Sequence, residues 1–395
     1  MRSYSYFCNT RIEMGMGLSG QLPELLSSLN IGSSILLVSD PGIVKAGIVS
    51  PIQAALEASG YRVDLFDTVS PNPRDTECLA GAERFREQGI EAVVAIGGGS
   101  AMDTGKAIAL LGPNGGTPID YVEGKRPYTN IAPIICVPTT AGTGSEVTRS
   151  AVITEASTHR KLTLKHATLR PLMAILDPKL TFTVPRAVTA ATGVDALVHA
   201  IEGYTCRATN PISQAFGARA MQTIVEALPI VFRDPGHERA RYNMLEGSLL
   251  AGLCFGSSDV AAVHCLAEAL GGLYDTPHGV ANAVFLPYVL QYNTQEEKPI
   301  HAALARIMHF ATESDPDEIA IHKMITGIRD FTAMLEIPKL KDLPGVRKED
   351  FARIVELAVR NNSTPSNIRS IGAEEYMQIL QAAYDEKYLY STTSI

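Results

Sequence analysis

A chain of 395 residues, 46% hydrophobic and 19% charged, can bury a sizeable core, and its length suits two domains better than one. That composition excludes a disordered or fibrous chain. A net charge of −8 with no basic run argues against nucleic acid or an anionic membrane surface as a partner.

The N-terminal stretch MRSYSYFCNTRIEMGMG has no apolar core of signal-peptide length, and no stretch approaches about 18 uninterrupted apolar residues. Six cysteines (Cys8, Cys78, Cys136, Cys206, Cys254, Cys265) are scattered without a CxxC, as free thiols in a reducing compartment would be. The expectation is a soluble, cytoplasmic protein. Strand-type runs follow at SILLVSD (34–40), YRVDLFD (61–67), EAVVAIGGG (91–99), PIICVPTT (133–140) and MAILDP (173–178). Helix-type stretches, GIVSPIQAALEASG (47–60) and TECLAGAERFREQG (76–89), separate the first three. This alternation predicts a mostly parallel sheet with helices on its faces. After DPKLTFTVP (177–185) helical patterns dominate, with Pro185 at the boundary or in the first turn of a new helix. The expected division is an α/β domain over 1–184 and an all-helical domain over 185–395. GAEEYMQILQAAYDE reads as a last surface helix, and no internal repeat is visible.

VVAIGGGSAMDTGKAIALL (93–111) reads as strand, glycine-rich turn and helix. Gly97, Gly98 and Gly99 let backbone approach a ligand, and Ser100 is a candidate cap for a helix whose amides favour phosphate. Asp40 ends the first parallel-type strand, where a carboxylate can accept both hydroxyls of an adenosine ribose and repel a 2′-phosphate. That favours NAD over NADP, although an Asp after a strand also serves as a turn or cap residue. In the Rossmann fingerprint the glycines come first and the acid roughly 20 residues later. Here the acid precedes the glycines, so the site must be built differently. A second polar loop, PTTAGTGSEVT (138–148), offers the hydroxyls of Thr139, Thr140, Thr143 and Ser145 to a diphosphate or a nicotinamide amide. Both loops follow likely parallel strands, the edge at which ligands sit.

GVDALVHAIEGY (193–204) sets Asp195 and His199 four apart among apolar neighbours, with Cβ atoms about 6 Å apart on one helix face. An unpaired buried charge is costly, so a proton, a cation or a metal ion is expected there. Two ligands are too few for a metal. HCLAEALGGLYDTPHG (264–279) supplies His264, on a predicted helix, and His278, after a proline in a turn. Asp195, His199, His264 and His278 would make a three-nitrogen, one-oxygen set suited to Fe²⁺ or Zn²⁺ rather than Ca²⁺ or Mg²⁺. Glu268, four residues after His264, competes with His278, and the bare Asp195–His199 pair remains open as a simple hydrogen bond. His159, His166, His237, His301, His309 and His322 show no such setting.

These motifs together resemble the iron-containing (group III) alcohol dehydrogenases. The resemblance is carried by GGGSAMDTGKAIA, PTTAGTGSEVTRSAVIT, LDPKLTFTVP, GVDALVHAIEGYT, ATNPIS and the HCLAEALGG…PHG block, in that order. It implies an N-terminal nucleotide-binding α/β domain of the dehydroquinate synthase-like kind, an all-α C-terminal domain, and an active site in the cleft between them. It implies one divalent metal on Asp195, His199, His264 and His278, Asp40 at the adenosine ribose, and Gly98, Gly99 and Ser100 at the diphosphate. Thr139, Thr140 and Ser145 match the nicotinamide-side loop. Asn72, Asp103, Val152, Lys161 and Leu180 match further cofactor contacts. A homodimer or larger homo-oligomer is also implied, with the N-terminal strand at the subunit contact. One position departs from the pattern: many members carry a histidine where this chain has Glu268, the residue expected here to relay a proton.

The activity implied is hydride transfer between NAD(H) and a small primary alcohol or aldehyde, the metal acting as a Lewis acid. Two alternatives stand beside it. A dehydroquinate synthase-like lyase would need a basic pocket for a phosphorylated acid, yet residues 193–204 and 260–273 carry no Lys or Arg. A non-catalytic NAD- or metal-binding module would give no NADH from any alcohol. Leu250, Leu253, Cys254 and Phe255 suggest a small apolar pocket.

Overall fold

The structure, a computed structural model, describes residues 3–158 and 160–389. His159 lies outside the described residues. The chain divides into two compact units, Cys8–Val184 and Pro185–Ile395. The described residues before Cys8 group with the second unit, where Tyr6 sits against Phe216 with ring centroids 6.0 Å apart.

In the first unit a six-stranded sheet runs in the order β1-β8-β5-β4-β2-β3. In chain order its strands are β1 (Arg11–Met14), β2 (Ser34–Val38), β3 (Arg62–Phe66), β4 (Ala92–Gly97), β5 (Ile134–Pro138) and β8 (Met173–Leu176), and every pairing is parallel. The runs SILLV, AVVAIG, IICVP and MAIL are buried throughout, as strands covered on both faces must be. RVDLF and RIEM, at the two edges, are mostly not buried. Helices α1 (Leu22–Ser27), α2 (Pro41–Lys45), α3 (Val49–Ala58), α4 (Asp75–Glu87), α5 (Gly99–Asn114) and α6 (Pro118–Val122) connect or cover the strands. A two-stranded antiparallel ribbon, β6 (Ser150–Thr154) with β7 (Lys161–Lys165), packs on α5 and α6.

The strand order positions the loops. From β2 the chain steps outward to β3, then returns to β4 and runs the other way through β5 to β8. The reversal falls between β2 and β4, the kind of switch point where open α/β sheets bind ligands beyond the carboxyl ends of their strands. Asp40 follows β2, Gly97–Gly99 end β4, and Thr139–Thr140 follow β5, so three adjacent strands deliver these segments side by side.

The second unit is helical: α7 (Arg186–Thr205), α8 (Pro211–Arg233), α9 (Glu238–Gly256), α10 (Ala262–Tyr274), α11 (His278–Asn293), α12 (Lys298–Ile307), α13 (Asp317–Met334), α14 (Phe351–Val359) and α15 (Ala373–Asp385). Pro185 is the N-cap residue of α7. From Gly193 to Gly203 every residue of α7 is buried, which fits a helix apolar on nearly all sides. It packs against α8, α9 and α11. Among the described residues, α8 is long and apolar enough to cross a membrane by length and composition, but half of that window is buried against the rest of the unit.

One side chain ties the glycine-rich helix to the second polar loop. Lys106 of α5 is fully buried, and its Nζ donates to Ser145 O at 2.6 Å, Ser150 O at 2.8 Å and Thr148 O at 3.2 Å. Burial pulls its pKa down, while Asp103 and Glu146 pull it back up. Glu146, equally buried, is pushed up to about 7 by that burial. Replacing Lys106 with Met leaves three carbonyls unmet and is expected to lower unfolding free energy by about 3 kcal/mol. A urea-denaturation midpoint equal to the parent's would contradict this account of the loop.

Candidate functional site

Helical spacing on α7 places Asp195, His199 and Glu202 four and three residues apart on one face. His264 is the third residue of α10 and His278 the first of α11. His278 therefore opens a helix rather than sitting in a turn: Pro277 is the N-cap residue, still extended at φ −55° and ψ 131°, and the helical backbone starts at His278. Gly279 permits close packing there, since a Cβ would stand 2.6 Å from the carbonyl oxygen of Ala191 on α7.

Each of Asp195, His199, His264 and His278 brings a donor atom within 4.8 Å of the others. His264 Nε2 lies 2.9 Å from His199 Nε2 and 3.9 Å from Asp195 Oδ1, and His278 Nε2 lies 3.7 Å from Asp195 Oδ1. Donors of a tetrahedral site with bonds of about 2.0–2.1 Å stand roughly 3.3 Å apart, so these distances bracket what a single ion needs. Three imidazoles and one carboxylate suit Fe²⁺ or Zn²⁺. Asp195, His199 and His264 are buried, while the His278 side chain is 37% exposed, so the group is open on that side. Glu268 does not join the four; its Oε2 accepts from Asn361 Nδ2 at 2.7 Å.

The surroundings orient the donors. Burial works against the Asp195 carboxylate, but the three imidazoles and the Asn282 amide outweigh it and lower its pKa. Asn282 Nδ2 donates to Asp195 Oδ1 at 2.6 Å and lies 3.1 Å from His278 Nε2. Phe255 stacks on the His199 ring, centroids 4.2 Å apart. Burial alone would lower His264; the Glu202 hydrogen bond and charge, helped by Asp195, raise it instead. Cys254 is not a pocket residue, because its thiol is buried where α9 meets α7, 3.8 Å from Ala200 O. Glu202 and Asn282 escaped the sequence reading. For Glu202 a signal existed, because it completes the i, i+4, i+7 face begun by Asp195 and His199.

In the first unit, Asp40 is the N-cap of α2: its Oδ1 accepts from Gly42 N at 2.9 Å and Ile43 N at 3.0 Å. Its Oδ2 would lie 3.4 Å from a Cβ on Gly97. Ser100 is not the cap of α5. Gly98 holds that position, no side chain caps the helix, and its leading amides suit an anion. Gly97, at φ +155°, and Gly99 admit no side chain: a Cβ on Gly99 would meet Thr143 Cγ2 at 2.7 Å. A Cβ on Gly98 would stand 3.2 Å from Thr140 Oγ1. The two loops thus abut, with only backbone between them at these points. Thr139 is fully buried, and its N–H donates to Gly97 O at 2.9 Å.

Other residues matched by resemblance have structural partners. Asp103 Oδ1 accepts from Ser145 Oγ at 2.7 Å, and its Oδ2 accepts from the N–H of Val152 at 2.9 Å. Lys106 Nζ also donates to Ser145 Oγ at 2.8 Å. Lys161 Nζ donates to Asn72 Oδ1 and Thr154 Oγ1, each at 2.9 Å, with Asn72 at φ +55°. Leu180 packs against the core beneath the sheet. Three clusters result: Asp40 with the two glycine-rich loops, Asp103 with Ser145 and Val152, and Asn72 with Lys161.

Comparison with known proteins agrees with this geometry. Residues 9–178 match the family model "iron-containing alcohol dehydrogenase", and residues 189–384 match the C-terminal model of the same family. Alcohol dehydrogenase 4 of Saccharomyces cerevisiae is 38% identical over 352 residues, covering 89% of this chain and 91% of that one. The crystal structure of a 1,3-propanediol oxidoreductase superposes with a TM-score of 0.92 at 36% identity, covering 97% of this chain and all of that one. A sulfoacetaldehyde reductase from Bifidobacterium kashiwanohense, solved in complex with NAD⁺, superposes with a TM-score of 0.87 at 30% identity over 97% of this chain and 99% of that one. Both halves of the sequence match, in order and over nearly their whole length: the chain belongs to the iron-containing alcohol dehydrogenase family.

Proposed function

We propose that this protein passes hydride between NAD(H) and a small primary alcohol or aldehyde, using one divalent ion, Fe²⁺ or Zn²⁺, on Asp195, His199, His264 and His278. The observation that carries the reading is the convergence of those four donor atoms within 4.8 Å. When bound, the ion supplies Lewis acidity that lowers the cost of negative charge on the substrate oxygen. Asp195 offsets part of the ion's charge, and the buried faces of His199 and His264 exclude water from one side. The partly exposed His278 side leaves an approach for a small alcohol, and Phe255, against His199, gives that neighbourhood an apolar surface. Glu268, on the same face of α10 as His264 and held by Asn361, is the proposed proton relay.

For the cofactor, the uncapped amides of α5 are the proposed diphosphate cradle, with Gly98, Gly99 and Ser100 at its mouth. Asp40 Oδ2 is the proposed ribose acceptor and the source of NAD preference. Thr139, Thr140, Thr143 and Ser145 are assigned to the nicotinamide side, held in shape by Asp103, Val152 and Lys106. Asn72, Lys161 and Leu180 are assigned to the outer part of the cofactor site. The NAD⁺ complex of the sulfoacetaldehyde reductase supports the choice of dinucleotide, and the names of the alcohol dehydrogenase and 1,3-propanediol oxidoreductase support a small alcohol. The same reading divides the chain into a dinucleotide-binding domain, 1–184, and a metal-binding domain, 185–395. A homodimer or larger homo-oligomer is supported by β1, an edge strand paired on one side only. Six free cysteines support a cytoplasmic location.

His264→Ala should lose both bound metal, read by elemental analysis, and NADH formation from 1,3-propanediol. A metal-free variant with full turnover would overturn the reading. Asp40→Asn keeps a capping side chain but removes the charge, so kcat/KM for NADP should rise and that for NAD should fall, each by about 10-fold. An unchanged cofactor ratio would remove Asp40 from this role. Glu268→Gln retains a group able to meet Asn361 but cannot take a proton; kcat should fall by about 100-fold, with one limb of the pH–rate profile lost. A parent-like profile would exclude Glu268 from the relay.

A further inference from the structure

Helix α10 starts without a cap of its own. Its N-cap residue is Ala261, whose side chain accepts nothing, and the first turn of any helix leaves backbone N–H groups unmet. The acceptor comes from another helix. Glu202 of α7 is 3% exposed; its Oε2 accepts from Ala261 N at 2.8 Å and its Oε1 from Val263 N at 2.7 Å. The same Oε2 lies 2.6 Å from His264 Nδ1. Both oxygens of Glu202 already accept backbone N–H groups, so the carboxylate meets the ring as an acceptor and His264 carries a proton on Nδ1. Its Nε2, which faces His199 Nε2 at 2.9 Å, then presents the lone pair that a metal ion takes.

We propose that Glu202 is a positioning residue for the metal centre. One carboxylate fixes the His264 tautomer and also docks the start of α10 onto α7, so that ligands on two helices are gathered before an ion arrives. A carboxylate serving only as a surrogate cap would need the two backbone contacts alone. The third contact, on the ring nitrogen that points away from the other ligands, gives Glu202 a share in metal affinity. The inference rests on the proposed metal role of the four ligands.

The substitution that separates the two jobs is Glu202→Gln. Gln keeps the volume, but its amide has one acceptor oxygen facing three donors, so its NH₂ must meet one of them. Either orientation weakens the ring contact: an NH₂ in place of Oε2 makes His264 accept at Nδ1 and moves its proton to Nε2, where it opposes metal, whereas an oxygen there leaves a neutral amide instead of a carboxylate to receive both Nδ1–H and Ala261 N. Zn²⁺ affinity of the full chain, measured by competition with a chromophoric chelator, should weaken by about 10–100-fold. The far-UV circular dichroism of the metal-free variant should match the parent's. A folded variant that binds Zn²⁺ as tightly as the parent overturns the inference while leaving the metal reading intact. A parent that binds no Zn²⁺ instead overturns the metal reading. If the variant fails to fold, ¹⁵N-histidine NMR of the zinc-loaded parent decides: a slowly exchanging proton on Nδ1 of His264 supports the role, and a metal-bound Nδ1 excludes it.

Discussion

A carboxylate 1% exposed in the middle of a twenty-residue buried helix has to be matched by positive charge or by hydrogen bonds. Asp195 meets that demand by drawing together residues from three helices. Three imidazoles stand near it, one amide donates to it, and its own pKa falls in spite of burial. The helical unit is arranged around this requirement. Gly279 lets α11 approach α7, and Glu202 fastens α10 to α7. Without a cation, the site would hold a buried charge among rings whose nitrogens point at one another. The donor chemistry and the packing therefore argue for the same occupant.

The sheet unit solves a different problem with a similar device. A dinucleotide needs bare backbone amides at the end of a strand, and bare amides need glycine, which does not hold a loop in place by itself. Here the stiffness comes from buried polar groups beside the glycines. Lys106 gathers three carbonyls and Asp103 bridges Ser145 and Val152, while Gly97–Gly99 stay open against Thr140 and Thr143. Both units thus use a fully buried charged residue to fix a surface that a ligand would need, and in both cases the residue comes from a neighbouring helix.

Much of this was legible in the sequence. Strands buried on both faces read as uninterrupted apolar runs, and SILLV, AVVAIG, IICVP and MAIL were recognisable for that reason. RIEM, SAVIT and KLTLK were not: each is only four or five residues long, and although KLTLK alternates polar and apolar, so short a run outside the main sheet does not stand out from a loop. The four ligands could be assembled because Asp195 and His199 share one helix face, and His264 and His278 fall in one short block. What stayed hidden depends on tertiary contacts. Ser100 had the composition of a cap, but Gly98 took the position because the strand runs straight into the helix. His278 looked like a turn residue because Pro277 precedes it, although proline also starts helices. Glu202 looked like an ordinary helical acid, because its partners lie on a helix about sixty residues later.

The most direct test is X-ray absorption at the zinc edge on the full chain loaded with one equivalent of Zn²⁺. Coordination by Asp195, His199, His264 and His278 gives a first shell of nitrogen and oxygen at about 2.0–2.1 Å, with outer-shell scattering from three imidazoles and no sulfur. A sulfur shell near about 2.3 Å, or a first shell made mostly of water oxygens without imidazole scattering, would contradict it.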